Sequence, residues 1–298
     1  MKRSLSILIP MYNADPRLMA RELCHQAQMI RDLDYEMIVV DDCSTDTDVM
    51  ERCQEIGQWP HCRFMALEEN IGRARIRNLL ASLASKEWLL FLDCDMQLPG
   101  DQFLHNYLVS KGEEVVDGGF GVVENLAMAR CNLRYIYEWN ALPHHTFEQR
   151  SSNPYRSFRT TNFMIRRDLM LNHPFDERFL HYGFEDVLFG KELKKAGIDI
   201  CHIDNPMMLA DLEPNDVFTA KTEEALRTLS QFRNELRGYS QLLTVVEGIH
   251  IAPVRWLICL WHWLFGRLER RNLCGKHPSL LIFKLYKLGY FLTLNTQQ

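Results

Sequence analysis

Between Leu5 and Phe120, short apolar runs alternate with longer stretches whose apolar positions recur at helical spacing. Residues 5–9, 36–40, 63–67, 88–92 and 115–116 read as strands. Asp15-Pro16 reads as an N-cap followed by proline at the first helical position, opening a helix that runs to about Ile30. Asp46 and Gly72 open the next two helices. Strand, helix and strand in repetition predict parallel pairing with helices on both faces, an arrangement in which ligands bind at the carboxyl ends of the strands. Asp41, Asp42, Asp93 and Asp95 all fall at such ends.

The pattern is less regular from 121 to 159, with a helix expected over 132–142 and a polar loop over 143–156. A strand at 161–166, a helix at 184–196 closed by Gly197, and a strand at 198–203 follow. Leu226, Leu229, Phe232, Leu236, Tyr239 and Leu243 recur at steps of three and four, predicting one long helix over 219–246.

Composition narrows the function classes. At 298 residues and 47% hydrophobic content the chain can bury a full core. A net charge of −5 argues against nucleic acid as a partner, because a phosphate-tracking surface carries a basic excess. Nine cysteines, odd in number and without a Cys-x-x-Cys pair, read as reduced thiols rather than a disulfide framework or a zinc site. Met1 to Ser4 runs straight into a strand with no apolar leader, so a cytoplasmic location is expected.

Asp93-Cys94-Asp95 closes an apolar strand. If the backbone stays extended, the two carboxylates point the same way and can share one divalent cation; the plainer reading is a solvated turn. Hard oxygen ligands suit Mg²⁺ or Mn²⁺ held partly by a substrate's phosphates, which points to a nucleotide-type donor. Gly72 lets backbone approach a ligand, and the helix it opens presents unpaired N–H groups. Arg73, Arg75 and Arg77 follow at alternate positions and cannot share one helix face; for Arg77 a structural salt bridge is as open as a donor contact.

Five segments in order, Ser6-Ile7-Leu8-Ile9-Pro10-Met11-Tyr12-Asn13, Val39-Val40-Asp41-Asp42-Cys43-Ser44-Thr45-Asp46, Asn70-Ile71-Gly72-Arg73-Ala74-Arg75-Ile76-Arg77-Asn78, Asp93-Cys94-Asp95 and Gly183-Phe184-Glu185-Asp186, closely resemble the family 2 glycosyltransferases. These are inverting enzymes with the GT-A fold. The resemblance covers residues 4 to 212. It implies a Rossmann-like, mostly parallel sheet flanked by helices, with a nucleotide-sugar-binding and catalytic domain at 1–215 and a helical C-terminal extension at 216–298. By resemblance Pro10, Tyr12, Asp42, Gly72, Arg77, Asp93 and Asn162 bind the nucleotide-sugar donor, with Asp42 accepting the N3–H of uracil. One of Asp41 and Asp42 has the alternative of capping the turn. Asp95 and Asp93 are the implied ligands of Mg²⁺ or Mn²⁺, Asp186 the general base, and Glu185 a partner for sugar hydroxyls; both also favour a helix N-terminus.

Two departures stand out. Thr160-Thr161 replaces residues that are often glycine in relatives, leaving the donor sugar open. The stretch 205–212, where many relatives carry a metal-binding histidine, has none; Asp211 is the candidate substitute, and His202 is read as a packed or solvent-facing histidine within a strand. The missing ligand also keeps open a catalytically silent nucleotide-sugar-binding or scaffold subunit. Tyr135, Tyr137 and Trp139 line either an acceptor groove or a core.

From 253 to 294 the chain turns basic and aromatic, with seven Lys and Arg residues against a single Glu269. The run 256–265 is strongly apolar yet shorter than the roughly 20 residues that span a bilayer. It fits a helix lying in the interface of an anionic membrane, peripheral at the inner face of the cytoplasmic membrane, or else a cap packed on protein, including a homo-oligomer contact. The acceptor expected is a glycan or a lipid-linked glycan.

Overall fold

The computed structural model describes residues 1–294. The first half runs β1 (Ser4–Met11), α1 (Arg17–Met29), β2 (Asp34–Asp41), α2 (Thr47–Cys53), β3 (Cys62–Ala66), α3 (Arg73–Leu83) and β4 (Trp88–Leu92). Then come β5 (Met96–Gln97), α4 (Phe103–Val109), β6 (Val115–Asp117), β7 (Phe120–Val122), α5 (Leu133–Ala141), α6 (Phe147–Ser152), β8 (Asn162–Arg166) and α7 (Arg167–Asn172). The remainder is α8 (Glu185–Ala196), β9 (Ile200–His202), β10 (Met207–Leu209), α9 (Asn215–Gln231), α10 (Arg233–Leu236), α11 (Gln241–Gly248), α12 (Ala252–Leu273) and α13 (Leu280–Leu294).

The chain divides into two compact units. The first comprises Met1–Gly121, His144–Leu180 and Phe189–Asp211. It holds a seven-stranded sheet in the order β3-β2-β1-β4-β8-β6-β9. β1 pairs in parallel with β2 and β4, and β2 with β3, as the alternation of strands and helices predicts. β8 runs antiparallel to both its neighbours, β4 and β6, so the sheet is mostly but not wholly parallel. Its central strands lack the alternation of a half-exposed sheet: all five residues of β4 are buried, which fits a strand covered on both faces. Phe163 of β8 stacks on Phe91 of β4, and Phe175 stacks on Phe189. A small second sheet has the order β5-β10-β7.

The second unit comprises Val122–Pro143, His181–Leu188 and the chain from Leu212 onward. Leu133 of α5, Phe218 of α9, Leu273 of α12 and Phe283 and Tyr286 of α13 form its core, with Tyr137 packed against them. Tyr137 contacts Phe218 and Phe283, which makes it a core residue. Tyr135 is buried and stacks on the partly exposed Trp139.

Two expectations need correction. The single helix over 219–246 is three: α9 ends at Gln231, Gly238 adopts φ +80°, and Ser240 caps α11 by accepting from the Leu243 N–H. The apolar stripe survives because the short helices still turn Leu226, Leu229, Leu236 and Leu243 inward, but Gly238 and Ser240 are stop and start signals that outweigh periodicity. The polar loop over 143–156 contains α6, opened by Thr146, whose hydroxyl accepts from the Gln149 N–H.

Candidate active site

In the first unit, most of the residues expected to bind a donor stand where the parallel strands end. After β1 the chain turns at Asn13, which adopts φ +52°. Its N–H donates to Ser44 Oγ (2.8 Å), its amide donates to Thr45 Oγ1 (3.0 Å), and its side-chain oxygen accepts from the Asp46 N–H (3.0 Å). The loops after β1 and β2 are thereby fastened together. Asp46 then caps α2 by accepting from the Val49 N–H. Pro10 is half-buried at the end of β1, and the Tyr12 ring is exposed.

The adjacent aspartates after β2 differ in role. Asp41 accepts from the N–H and the hydroxyl of Ser44 and so holds the turn. Asp42, 5% exposed, reaches the start of α3: one carboxylate oxygen accepts from the Ile71 N–H (2.7 Å) and the other from the Gly72 N–H (3.1 Å), while its carbonyl accepts from the Asn70 amide (2.9 Å). Each carboxylate oxygen has a further lone pair beyond these bonds. Burial pushes the Asp42 carboxyl above its ordinary value, against the pull of the two N–H bonds. Gly72 has φ +85°, and a Cβ there would come within 3.2 Å of the Leu180 carbonyl oxygen, so both conformation and space call for glycine.

Asp93 follows β4 and is fixed from below. Its N–H donates to the Thr161 carbonyl (3.0 Å), and its carboxylate accepts from Arg77 Nη2 (2.7 Å). Arg77 is 1% exposed and also donates to the Arg73 carbonyl, whereas Arg73 and Arg75 are exposed. Arg77 thus forms a buried salt bridge that holds Asp93. Asp95 is half-buried in the turn that follows. Burial and the neighbouring carboxylates push the Cys94 thiol up to about 12, leaving it protonated and a poor ligand for a hard cation.

Asn162, 1% exposed, lies opposite Leu92 in the sheet. Its amide donates to the Gly119 and Asn205 carbonyls (3.0 and 2.9 Å), and its side-chain oxygen accepts from the Tyr107 hydroxyl (2.7 Å). It joins three segments behind the strand ends. Asp211 is exposed, and among the described residues no three His, Cys, Asp or Glu side chains are grouped to hold a metal. Asp211 therefore does not complete a protein cage with Asp93 and Asp95.

Sequence reasoning missed a buried ion cluster at the end of β6. Arg150 of α6 donates from Nη1 to Asp117 Oδ1 (2.7 Å) and from Nη2 to the Ile203 carbonyl (2.7 Å). His202 lies between Arg150 Nη1 (2.9 Å) and the Pro154 carbonyl (2.9 Å). With Nε2–H donating to Pro154, Nδ1 is left to accept from Arg150. His202 is packed in β9, one of the two placements left open by the sequence. The available signal was an arginine in a polar loop, between an aspartate and a histidine that each sit in a short apolar strand.

In the second unit, Gly183 (φ +100°) and Phe184 (φ +69°) form a left-handed entrance to α8. A bulky residue at positive φ is strained by about 1–2 kcal/mol, and α9 holds it there. The Tyr182 N–H donates to Glu224 (3.2 Å), its carbonyl accepts from the Thr228 hydroxyl (3.1 Å), and Gly183 lies against Ala225, where a Cβ would approach to 2.8 Å. This entrance aims the first turn of α8, which carries the buried Glu185 and the half-buried Asp186.

Residues 6–172 match the family described as Glycosyl transferase family 2, more than half of the chain. The chain belongs to glycosyl transferase family 2. Among curated relatives of this family member, a Bacillus subtilis protein assigned to teichuronic acid biosynthesis as glycosyltransferase TuaG is 35% identical over 32% of this chain and 36% of its own. The poly(ribitol-phosphate) β-N-acetylglucosaminyltransferase TarP of Staphylococcus aureus is 28% identical over 40% of this chain and 37% of its own. The matches thus span little more than a third of these relatives. Among solved structures, the mannosyltransferase PcManGT of Pyrobaculum calidifontis, in complex with GDP-Man and Mn²⁺, superposes with a TM-score of 0.57 at 14% identity, over 99% of this chain and 86% of that one. Residues 1–349 of S. aureus TarS give 0.51 at 17%, over 100% and 92%. At such identity these likenesses establish the fold: the family 2 member has the GT-A architecture.

Proposed function

We propose that this chain is a metal-dependent, inverting glycosyltransferase that moves a sugar from a nucleotide sugar, UDP-linked, to a hydroxyl of a glycan or lipid-linked glycan at the inner face of the cytoplasmic membrane. The observation that carries the donor half is the convergence of two strand-end carboxylates on one helix: Asp42 holds the N–H groups at the start of α3, and Asp93 holds Arg77 one turn further in. That geometry favours a nucleotide spread across the ends of β2, β1 and β4. Asp42 accepts the uracil N3–H with its remaining lone pair, Tyr12 and Pro10 border the base, and Gly72 gives the diphosphate close approach to backbone.

Asp93 and Asp95 suit Mg²⁺ or Mn²⁺ by their hard oxygens, with diphosphate and water supplying the rest of the shell in place of Asp211 or a histidine. Bound there, the cation offsets the negative charge that grows on the departing diphosphate. Asp186 accepts the acceptor hydroxyl's proton as that oxygen attacks the anomeric carbon from the face opposite the diphosphate. The new glycosidic bond forms, the bond to the diphosphate oxygen breaks with its electron pair, and the centre inverts. Glu185 orients sugar hydroxyls. Arg77 and Asn162 act by positioning Asp93 and the strand ends. The names of TuaG, for teichuronic acid biosynthesis, and TarP, for poly(ribitol-phosphate), support an acceptor in polysaccharide assembly.

Release of nucleoside diphosphate across a panel of nucleotide sugars tests the reading. A UDP-sugar should turn over, excess chelator should abolish the reaction, Mg²⁺ or Mn²⁺ should restore it, and Asp95→Ala should lose about 10³-fold or more in turnover, far more activity than stability. Full turnover in chelator refutes the metal. Donor binding with no turnover under any condition assigns the silent-subunit reading instead.

A further inference from the structure

Helix α12 carries an apolar surface that the second unit leaves uncovered. Trp256, Leu257, Trp261, Trp263, Leu264 and Leu268 are each at least half exposed, Trp263 to 78%. At the 100° per residue of an α-helix they fall on one half of the circumference. The other half faces the core: Leu273 and Glu269 are buried there. Glu269 is the sole carboxylate between residues 249 and 294, and it is turned inward, accepting from Trp261 Nε1 (2.9 Å) and facing His262 Nδ1 (3.1 Å). The exposed surface of this segment therefore carries no negative charge. Arg267 and Arg271, both exposed, lie on the apolar half toward the C-terminal end of α12, and α13 adds exposed Leu281, Lys284 and Leu285. No helix among the described residues is long and apolar enough to cross a membrane.

An uncovered half-helix of this kind admits several occupants, and charge selects among them. A second copy docking face to face would bring two cationic surfaces together with no carboxylate between them. An acidic bilayer supplies both complements: apolar depth for the leucines and anionic headgroups for the arginines. Tryptophan, with an apolar ring and one N–H donor, is enriched at this interface. We propose that α12 lies in the headgroup layer of an anionic membrane, inserting Trp256, Trp263 and the leucines beside them while Arg267, Arg271 and Lys284 contact lipid phosphates. This gives the membrane location a definite face of the molecule, and it requires neither donor nor turnover.

The test is flotation of the full-length chain with vesicles of phosphatidylcholine, with and without phosphatidylglycerol, in the absence of donor. The chain should float with phosphatidylglycerol vesicles and not with phosphatidylcholine alone, and its tryptophan emission should shift to the blue. Raising salt to about 0.5 M, or Arg267→Glu with Arg271→Glu, should cut the bound fraction about tenfold. Trp256→Ala with Trp263→Ala should release the protein to a similar degree without changing its melting temperature, because both side chains are exposed. Equal binding to both vesicles, or none, overturns the proposal. So does a soluble dimer that the tryptophan variant converts to monomer, which assigns the face to a second copy. Either failure leaves the transferase reading intact, since that is scored by nucleoside diphosphate release.

Discussion

The strand ends of the first unit and the entrance to α8 in the second both present carboxylates, but the backbone that carries them differs. Asp41, Asp42 and Asp93 are fixed by partners: a serine hydroxyl, two backbone N–H groups and a buried guanidinium. Asp186 is aimed by backbone strain, through consecutive residues at positive φ that α9 clamps in place. Under the proposed function the difference is meaningful. The donor side must offer an unchanging field to a diphosphate, and fixed hydrogen bonds provide it without reorganisation at the moment of reaction. A general base must instead meet a proton that arrives with the acceptor; the strained entrance sets the direction of the first turn of α8, where one Asp186 carboxylate oxygen accepts from the Val187 N–H (2.7 Å).

Within this comparison the largest expected effect lies at its strained end. Asp186→Asn keeps the shape of the side chain but removes its basicity, so kcat should fall about 10²-fold or more while donor affinity is retained. Pre-steady-state and steady-state turnover, set beside donor titration, decide it. Near-normal kcat would move the base to another residue, with Glu185 next in line.

Alanine at the two glycines sharpens the comparison. Gly72→Ala and Gly183→Ala each impose a Cβ at positive φ, at about 1–2 kcal/mol, and each meets a neighbour. Gly72→Ala should weaken donor binding about tenfold with kcat little changed; Gly183→Ala should lower kcat by a similar factor with donor affinity kept. If both variants lose the same parameter, the division between a donor end and a base end is wrong.

The smallest effect concerns pH. Burial raises the Asp42 carboxyl above 3.8, so in the acidic range between 3.8 and the raised value the folded chain holds a proton that the unfolded chain has lost. Stability contributed by this group therefore falls as pH rises through that window. Affinity for a uridine nucleotide moves the other way, because only the ionised carboxylate accepts N3–H at full strength. Calorimetric titration of UDP should show affinity declining on acidification sooner than an ordinary aspartate allows, and Asp42→Asn should flatten the curve. An unchanged curve in that variant would remove Asp42 as the base reader.

The strands were legible because central parallel strands are buried on both faces and appear as unbroken apolar runs; their carboxyl ends were legible because aspartate and asparagine interrupt those runs. What pattern alone left open was contact-dependent. Asp41 and Asp42 look alike in sequence, and only the position of α3 separates the turn holder from the residue that spans to the helix. Arg77 reads equally as a donor contact or a salt-bridge partner, and its burial on Asp93 depends on a neighbour that no local spacing names. The cluster of Arg150, Asp117 and His202 joins residues far apart in sequence, and no local spacing announces it. The helix expected over 219–246 failed for the opposite reason: the capping signals at Gly238 and Ser240 were local and visible, but a regular stripe ran through them.

The reversed strand β8 has a further consequence, for the order in which the molecule is made. β4 pairs on one side with β1 through Leu5 and Trp88, and on the other with β8 through Trp88 and Arg166. Until β8 emerges during synthesis, β4 is an open edge composed of Trp88, Leu89, Leu90, Phe91 and Leu92, an uncharged apolar segment of the kind that recruits other nascent chains. Closing that edge is a long-range event and therefore slow. The strand that delivers Asp93 is thus also the point at which newly made chains are most exposed to aggregation, and yield on expression should depend on how quickly residues 162 to 166 can dock.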